Sequence, residues 1–481
     1  MLNTINIGYR QVFCEDNHGV YKGFNFFYER DKNLFRNQKN DIQNLNIEKI
    51  EELIGLKLPV HTTDYPSTIE KLNKAGYFFH WEEQYLPALP ELDYNIRSIE
   101  YFIKNNETFF IPVFLEGEKL FETDPVPQIP SDILEYIKLG KASFLFLFPM
   151  EGYVGANDRI FEWFHKFSKA NQLDSSSIIL VHSNLILNET YKKFLSNKDY
   201  LPKITVLSYN YFEHVLWFVD HRHKHLPGYR EVHENKKLEN LTERSELKFT
   251  KHFSIFNRRL DVHRMITFAQ IKTNENLDKT TIGSLFNPSP DHNPKDYQAY
   301  LNNDYWKVLD NYENIFKFIK TTDLSVPFTI RDGEQNGNTE NLAHALDYNT
   351  HNKALISIVT ETLHSDKCVF FSEKTFKPIY SLNPFIIVAG PGYLKHLKLL
   401  GYKTFDRWWD ESYDEEENWL IRFNKLYKLY NDISLWSVDR LNTVYTEMLP
   451  TLEHNFNTLM DDTYLYAYKE QLLTLYNNLK K

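Results

Sequence analysis

The sequence predicts an α/β protein of two domains, each with a mainly parallel sheet whose faces are covered by helices. Three observations lead to this fold class. The chain has 481 residues, whereas a single hydrophobic core stops growing near about 250–300 residues. Its 42% hydrophobic and 25% charged residues are the proportions of a globular protein. Short apolar runs alternate with stretches of helical periodicity, which is the pattern of parallel sheets.

Charge and cysteine content exclude several classes of protein. Asp and Glu number 65 against 55 Lys and Arg, so the formal net charge is −10. A protein that coats nucleic acid usually carries a basic surplus, so general nucleic-acid binding is not expected. The only cysteines, Cys14 and Cys368, cannot supply a disulfide framework or a four-cysteine zinc site. No signal-peptide pattern opens the sequence and no apolar run is long enough to span a bilayer, so we expect a cytoplasmic protein.

Three apolar runs in the first half of the chain are each followed by polar residues and then a helical or amphipathic pattern. These predicted strands are Ala142–Phe148, Ser177–Val181 and Lys203–Leu207. Helices are predicted over residues 158–170 and 189–195. The first 140 residues show few clean periods, and no element is predicted there.

The alternation resumes after a charged, histidine-rich segment, residues 221–247, which we interpret as the crossing between domains. The predicted strands are then Phe253–Phe256, Thr280–Phe286, Ala354–Val359 and Phe385–Ala389. Helices are predicted over 261–272, from Ser372 onwards, and over 393–400. The predicted division is an acceptor-side domain of residues 1–245, a donor domain of residues 246–425, and helices of residues 426–481 that pack back across the domains.

The strongest chemical signal is the segment Ser372–Pro378, which reads Ser-Glu-Lys-Thr-Phe-Lys-Pro. Ser372 suits a helix N-cap, because its hydroxyl can accept from free amides of the first turn. Those amides and the helix dipole attract anions. Lys374 in the first turn opposes the dipole unless an anion lies beside it, and a diphosphate would be such an anion. Glu373 could accept hydrogen bonds from two sugar hydroxyls. A capped surface helix with a chance Glu-Lys pair is the alternative.

A second group of candidate residues lies around Asn257, which follows the predicted strand Phe253–Phe256. Arg258, Arg259 and Arg264 lie at or near the strand-to-helix turn. Guanidinium groups bind phosphate oxygens in bidentate fashion, and ligands bind beyond the carboxyl ends of parallel strands. A basic helix start paired with neighbouring acids is the alternative. Gly390 follows another predicted strand, where glycine permits a tight turn or a close backbone approach.

The segment Ala354–Phe405 resembles the donor domain of nucleotide-sugar glycosyltransferases with the GT-B fold, and most of all the α1,3-fucosyltransferase-like group. In that group a strand ends in a glutamate, a Thr/Ser-Glu-Lys sequence starts the next helix, and a strand of the type Pro-Val-Val-Leu-Gly follows. Glu361 matches the first glutamate, Glu373 and Lys374 match the pair, and residues 384–388 match the strand. The resemblance implies that both glutamates contact the sugar or ribose and that the lysine contacts the diphosphate.

This resemblance implies two Rossmann-like domains facing a cleft, and transfer of a sugar from a nucleotide sugar to a hydroxyl of a glycan, a protein or a modified base. In GT-B enzymes an arginine or lysine commonly neutralises the leaving diphosphate, so we expect neither a metal nor another cofactor. Inverting transfer needs a base that takes the proton of the acceptor hydroxyl. Glu151 and His182 follow predicted strands of the first domain and are the candidates; a helix cap or a solvated loop residue is the alternative for Glu151.

A metal site is not favoured by the sequence. No Asp-X-Asp follows a predicted strand, which removes the usual ligands of metal-dependent sugar transfer. The alternating histidines His221, His223 and His225 could ligate zinc, but cations are interleaved and Asp220 is the only acid beside them. We therefore interpret this segment as part of the interdomain crossing.

Three other functions stay open at this point. One is a glycosyltransferase that acts on a modified DNA base, against which the net charge counts. The second is a nucleotide-sugar epimerase with the GT-B fold. The third is a module that binds a sugar nucleotide without catalysis. The sequence also leaves open the sugar, the base of the nucleotide, the acceptor and the general base. It does not decide between inversion, which we expect, and retention.

Overall fold

The computed structural model describes fifteen stretches of the chain, and all structural statements below concern them. They are residues 4–9, 93–114, 126, 129–148, 157–174, 177–196, 198, 203–210, 249–257, 261–285, 304–322, 328–329, 353–364, 368–460 and 463–479. The chain divides into two compact units, one of residues 1–211 with 463–481 and one of residues 212–462. The predicted boundary between residues 245 and 246 lies outside the described stretches. The other predicted boundary, between residues 425 and 426, falls on a described helix, Trp419–Ser434.

Within the described stretches, each unit contains one sheet. The strands, in chain order, are β1 (Thr4–Tyr9), β2 (Asp93–Ser98), β3 (Phe109–Phe114), β4 (Ala142–Phe148), β5 (Ile178–His182), β6 (Thr205–Ser208), β7 (Lys251–Asn257), β8 (Thr281–Leu285), β9 (Phe328–Thr329), β10 (Ala354–Thr360) and β11 (Phe385–Val388). Apart from β9, which runs antiparallel to β8, neighbouring strands pair in parallel. The predicted α/β class with parallel sheets is confirmed, whereas the GT-B arrangement and its cleft stay predictions.

Helices connect and cover these strands. In chain order they are α1 (Ile99–Asn105), α2 (Ser131–Lys138), α3 (Asn157–Asn171), α4 (Leu187–Leu195), α5 (Val262–Lys272), α6 (Glu275–Thr280), α7 (Tyr312–Thr321), α8 (Glu373–Tyr380), α9 (Tyr393–Leu399), α10 (Trp419–Ser434), α11 (Val438–Met460) and α12 (Thr463–Leu479). The described part of the second unit also has two short 3₁₀ helices, Asp304–Val308 and Ser412–Glu415. None of the described helices is both long and apolar enough to cross a membrane.

The sheet of the first unit has the order β2-β1-β3-β4-β5-β6. Every residue of β4 is buried, because helices cover both faces of a parallel sheet and such strands are apolar throughout. Aromatic rings fill the interface with α3, where Phe146 and Phe164 pack edge to face with centroids 4.8 Å apart. Helix α12 also belongs to this unit: the hydroxyl of its Tyr476 donates to the carbonyl of Thr108 at 2.9 Å.

The sheet of the second unit has the order β11-β10-β7-β8-β9. In chain order β7 comes first and β8 pairs with one of its edges. The later strands β10 and β11 lie on the other side of β7. The direction of winding therefore reverses between β7 and β10. In open α/β sheets, ligands bind at this kind of switch point, beyond the carboxyl ends of the strands. The ends of β7 and β10 are thus where a site is expected in this unit.

Candidate functional site

At the switch point of the second unit, the last residues of the strands β7 and β10 are in contact. Asn257 ends β7 and Thr360 ends β10, and the hydroxyl of Thr360 donates to Oδ1 of Asn257. Asn257 is only 2% exposed, yet its Nδ2 has no hydrogen-bond partner among the described residues. A buried amide N–H without a partner costs free energy, so this edge holds a donor that a ligand could satisfy.

Glu361, the residue after β10, joins the strand end to the start of α8. Its side chain is completely buried. Oε1 accepts hydrogen bonds from the main-chain N–H of Ser372 at 3.2 Å and from the hydroxyl of Thr375 at 2.6 Å. Oε2 accepts from the main-chain N–H of Thr362 at 3.1 Å. Three protein donors thus occupy this carboxylate, and in this conformation it holds α8 in place.

Helix α8 begins as the sequence predicts, with Ser372 as its N-cap. The Ser372 hydroxyl accepts from the main-chain N–H of Lys374 at 3.2 Å. The Lys374 ammonium folds back over the same turn and donates to Oγ of Ser372 at 3.3 Å, Oγ1 of Thr362 at 3.1 Å and Oε1 of Glu373 at 2.9 Å. The ammonium and the positive end of the helix dipole therefore lie together, an arrangement that an anion would stabilise.

Glu373 is the immediate counter-ion of Lys374. Its side chain is 13% exposed. Burial raises the pKa of Glu373, but the ion pair with Lys374 and the charge of Lys377 outweigh burial and leave the pKa below its usual value. Glu373 is therefore ionised at neutral pH and acts as a hydrogen-bond acceptor at the N-terminus of α8.

Helix α5 brings two more basic side chains to the same edge. His263 Nε2 and Arg264 Nη2 both donate to the main-chain carbonyl of Glu361, at 2.6 and 3.3 Å. Arg264 also pairs with Asp261 at 2.8 Å. Both basic residues are at most 3% exposed, and neither His263 Nδ1 nor Arg264 Nε has a hydrogen-bond partner among the described residues.

The histidines at this edge are uncharged at neutral pH. Burial lowers the pKa of His263 well below its usual value, and the nearby His364, Arg264 and Lys374 lower it further, against an opposing hydrogen bond to the Glu361 carbonyl. Burial also lowers the pKa of His364, although Asp261 opposes the shift. The two rings lie 4.5 Å apart. Arg264 and Lys374 are thus the fixed positive charges here. Asp261 and Glu373 pair with them, and the buried Glu361 carboxylate lies at the same edge.

The neighbouring strand β11 leads to a different kind of helix start. Gly390 lies just after β11 and is buried, and Arg422 fixes the strand end by donating to the carbonyl of Ala389 at 2.9 Å. The carboxylate of Asp414 accepts from the main-chain N–H groups of Leu394 and Lys395 at 2.9 and 3.2 Å. A protein carboxylate therefore caps the N-terminus of α9, whereas in α8 the uncharged Ser372 hydroxyl caps the N–H of Lys374.

The structure brings most of the predicted donor-site residues of the second unit to one edge. Asn257, Arg264, Glu361, Ser372, Glu373 and Lys374 all surround the ends of β7 and β10. Arg258, Arg259 and Glu151 lie outside the described residues. Sequence reasoning did not find the partners Thr360, Thr362, Thr375 and His364, because short polar residues and a lone histidine carry no spacing signal.

His182, the second base candidate, belongs to the first unit and lies inside its core. The ring is 1% exposed, stacks on Phe148 with centroids 4.7 Å apart, and accepts the main-chain N–H of Asn184 on Nδ1 at 2.7 Å. Burial lowers the pKa of His182 to about 3. A ring with that pKa is a weak proton acceptor at neutral pH, and its role as a general base stays a prediction.

No three His, Cys, Asp or Glu side chains in the described stretches are arranged to hold a metal ion; His221, His223 and His225 lie outside those stretches. Comparison of the chain with protein-family models, with curated proteins and with solved structures gave no match.

Proposed function

We propose that the protein is a glycosyltransferase of the GT-B type, which moves a sugar from a nucleotide-sugar donor to a hydroxyl acceptor without a metal ion. This proposal rests on the side chains that lie at the β7/β10 switch point. A lysine lies over the N-terminus of α8, a buried arginine lies at the same edge, and two buried N–H donors there, Asn257 Nδ2 and Arg264 Nε, lack partners among the described residues. An anion with several hydrogen-bond acceptors, such as a diphosphate, suits this set of groups.

In this proposal, some of these residues bind the donor and others position the helices that carry them. The Lys374 ammonium at the start of α8 and the Arg264 guanidinium bind the diphosphate, with Arg258 and Arg259 as further cations. Glu373 accepts hydroxyl groups of the sugar or ribose. Glu361 holds α8 and α5 in register, because its carboxylate is occupied by Ser372, Thr362 and Thr375 and its carbonyl by His263 and Arg264.

The reaction follows from this arrangement. The acceptor oxygen forms a bond to the anomeric carbon, the bond from that carbon to the diphosphate breaks, and the acceptor proton passes to a base, for which Glu151 is our candidate. Negative charge grows on the diphosphate as its bond breaks. The Lys374 ammonium therefore interacts more strongly with the transition state than with the ground state, which is the condition for accelerating the step.

Calorimetric titration of the full chain with nucleoside diphosphates in EDTA tests the binding part of this proposal. We expect one nucleotide to bind, and Lys374→Ala to weaken it about tenfold through loss of a charged contact. Lys395→Ala is the matched control, because this exposed lysine lies in the first turn of α9, where Asp414 already occupies the helix end; we expect less than a twofold change. Absence of binding by every nucleotide, or equal effects of the two variants, would contradict the proposal.

Product analysis separates sugar transfer from the other functions. A transferase releases the nucleoside diphosphate and slowly hydrolyses the donor in the absence of an acceptor. An epimerase returns an isomerised sugar nucleotide or sugar, and a silent module returns the donor unchanged. Release of nucleoside diphosphate that becomes faster with added glycan, but not with DNA that carries hydroxylated bases, is the expected result.

A further inference from the structure

A row of aromatic rings leads from the basic edge of the second unit to its surface. His263 lies 4.5 Å from His364, His364 lies 5.3 Å from Trp419, and Trp419 lies 6.3 Å from Tyr305, measured between ring centroids. Successive rings are tilted by only 30°, 36° and 34°. We call these four residues the ring row. It joins four segments that are far apart in the sequence.

Exposure and charge both change along the ring row. Its inner member, His263, is 1% exposed and lies among Arg264, Lys374 and the start of α8. Its outer member, Tyr305, is 50% exposed and has exposed Val308 on the same 3₁₀ helix. The inner end therefore holds the cations Arg264 and Lys374, each paired with a carboxylate, whereas the outer end presents a flat, uncharged ring. A ligand that matches both ends carries an anion at one end and a planar ring at the other.

The outer rings are held firmly. Trp419 is the first residue of α10, whose N-cap is Asn418, and its indole N–H donates to the Tyr305 hydroxyl. Trp306, which is completely buried, packs against Trp419 edge to face at 4.6 Å, and Phe423 packs against it at 5.6 Å. A rigid aromatic surface loses little conformational entropy when a ring stacks on it.

We propose that Tyr305 and Trp419 form the platform on which the base of the donor nucleotide stacks, with His364 between that platform and the diphosphate. This rests on the proposed function, since the basic edge must bind the diphosphate. Stacking of a base on an aromatic side chain typically contributes about 1–3 kcal/mol, which corresponds to roughly a 5- to 150-fold change in affinity. The assignment gives the site its preference for nucleotides over simple diphosphates.

The decisive experiment compares the nucleoside diphosphate that binds best with inorganic pyrophosphate, which has no base. Tyr305→Ala should weaken the nucleotide at least about fivefold and leave pyrophosphate binding unchanged, which also shows that the variant is folded. Tyr305→Phe keeps the ring and should bind the nucleotide within twofold of the parent. Tyr312→Ala, a tyrosine of α7 outside the ring row, is the matched control and should change neither affinity.

The outcomes separate this inference from the proposed function. If Lys374→Ala weakens both ligands while Tyr305→Ala weakens neither, the diphosphate site stands and the base platform is wrong. If Tyr305→Ala weakens pyrophosphate as much as the nucleotide, the residue supports the fold rather than the base, and the inference is also overturned. If neither ligand binds the parent protein, the proposed function and this inference fail together.

Discussion

The carboxylate of Glu361 accepts a hydrogen bond from the main-chain N–H of Ser372 at 3.2 Å, and so ties the end of β10 to the beginning of α8. The same residue's carbonyl receives His263 and Arg264 from α5. One fully buried residue thus fixes both elements that carry the cations of the site. The resemblance to glycosyltransferases suggests a sugar contact for this glutamate, whereas its contacts here are those of a positioning residue.

Glu361→Gln should therefore destabilise the second unit. The amide keeps one acceptor oxygen but turns an N–H₂ group towards one of the three donors that surround the carboxylate, which leaves a buried donor unpaired. We expect a loss of about 2–3 kcal/mol in the free energy of unfolding, measured by denaturant titration. Glu275→Gln is the matched control: this glutamate pairs with Lys279 on the exposed surface, and its change should be too small to resolve by the same titration. Similar small effects of both variants would show that Glu361 does not hold α8.

Glu373→Ala should raise KM for the sugar nucleotide more than it lowers kcat. A carboxylate that accepts sugar or ribose hydroxyls makes these bonds in both the ground state and the transition state, so its loss removes uniform binding. Initial-rate kinetics over a range of donor concentrations measures the split, with circular dichroism to verify folding. A variant with unchanged KM and a strongly reduced kcat would assign Glu373 to the chemical step instead.

Turnover should persist in excess EDTA. Arg264 and Lys374 are fixed cations beside the diphosphate position and can stabilise the leaving group electrostatically. Rates measured with EDTA, and with added magnesium or manganese, should agree within about twofold of one another on this electrostatic account. Complete loss of activity in EDTA that is restored by either metal would contradict the account and turn attention to the histidines of residues 221–225.

Acid should destabilise the protein through His182. Its folded pKa of about 3 lies below the ordinary value of 6.5, so the unfolded chain binds the proton first. The stabilisation that the neutral ring provides is fully present above about pH 6.5 and is lost as the pH falls towards 3, by about 1.4 kcal/mol per pH unit.

His182→Asn keeps an acceptor for the main-chain N–H of Asn184 and removes the titration. We expect the difference in unfolding free energy between parent and variant to be constant between pH 7 and 8 and to move in the variant's favour by about 2 kcal/mol at pH 5. Parallel pH profiles from pH 8 to pH 5 would show that His182 is not buried as an uncharged ring.

The sequence predicts the strands and helices that carry strong apolar runs, and it misses those that depend on tertiary pairing. The predicted runs at Ala142–Phe148 and Ala354–Val359 coincide with β4 and β10, since both strands are buried throughout. By contrast, β2 has no apolar run; it pairs in parallel with β1 over six residues, and its Asn95 donates to Asn6 at 2.9 Å. Such polar strands are specified by their partners, which the local pattern does not reveal.

The candidate site shows the same division. The Ser372 N-cap and the Glu373–Lys374 pair could be predicted because capping and first-turn charge are local effects. The occupation of the Glu361 carboxylate by Ser372 and Thr375 depends on how β10 and α8 meet, and the ring row depends on how His364, Trp419 and Tyr305 converge. Neither arrangement follows from spacing along the chain.

The turnover of Lys374→Ala with a nucleotide sugar tests the central claim most directly. The ammonium should interact most strongly with the diphosphate as its bond breaks, so kcat should fall by about 10²–10³, with Lys395→Ala within about threefold of the parent as control. A Lys374→Ala variant that is folded and keeps kcat within about threefold of the parent would contradict the account, and Ser372–Lys377 would then be a capped helix start without a role in sugar transfer.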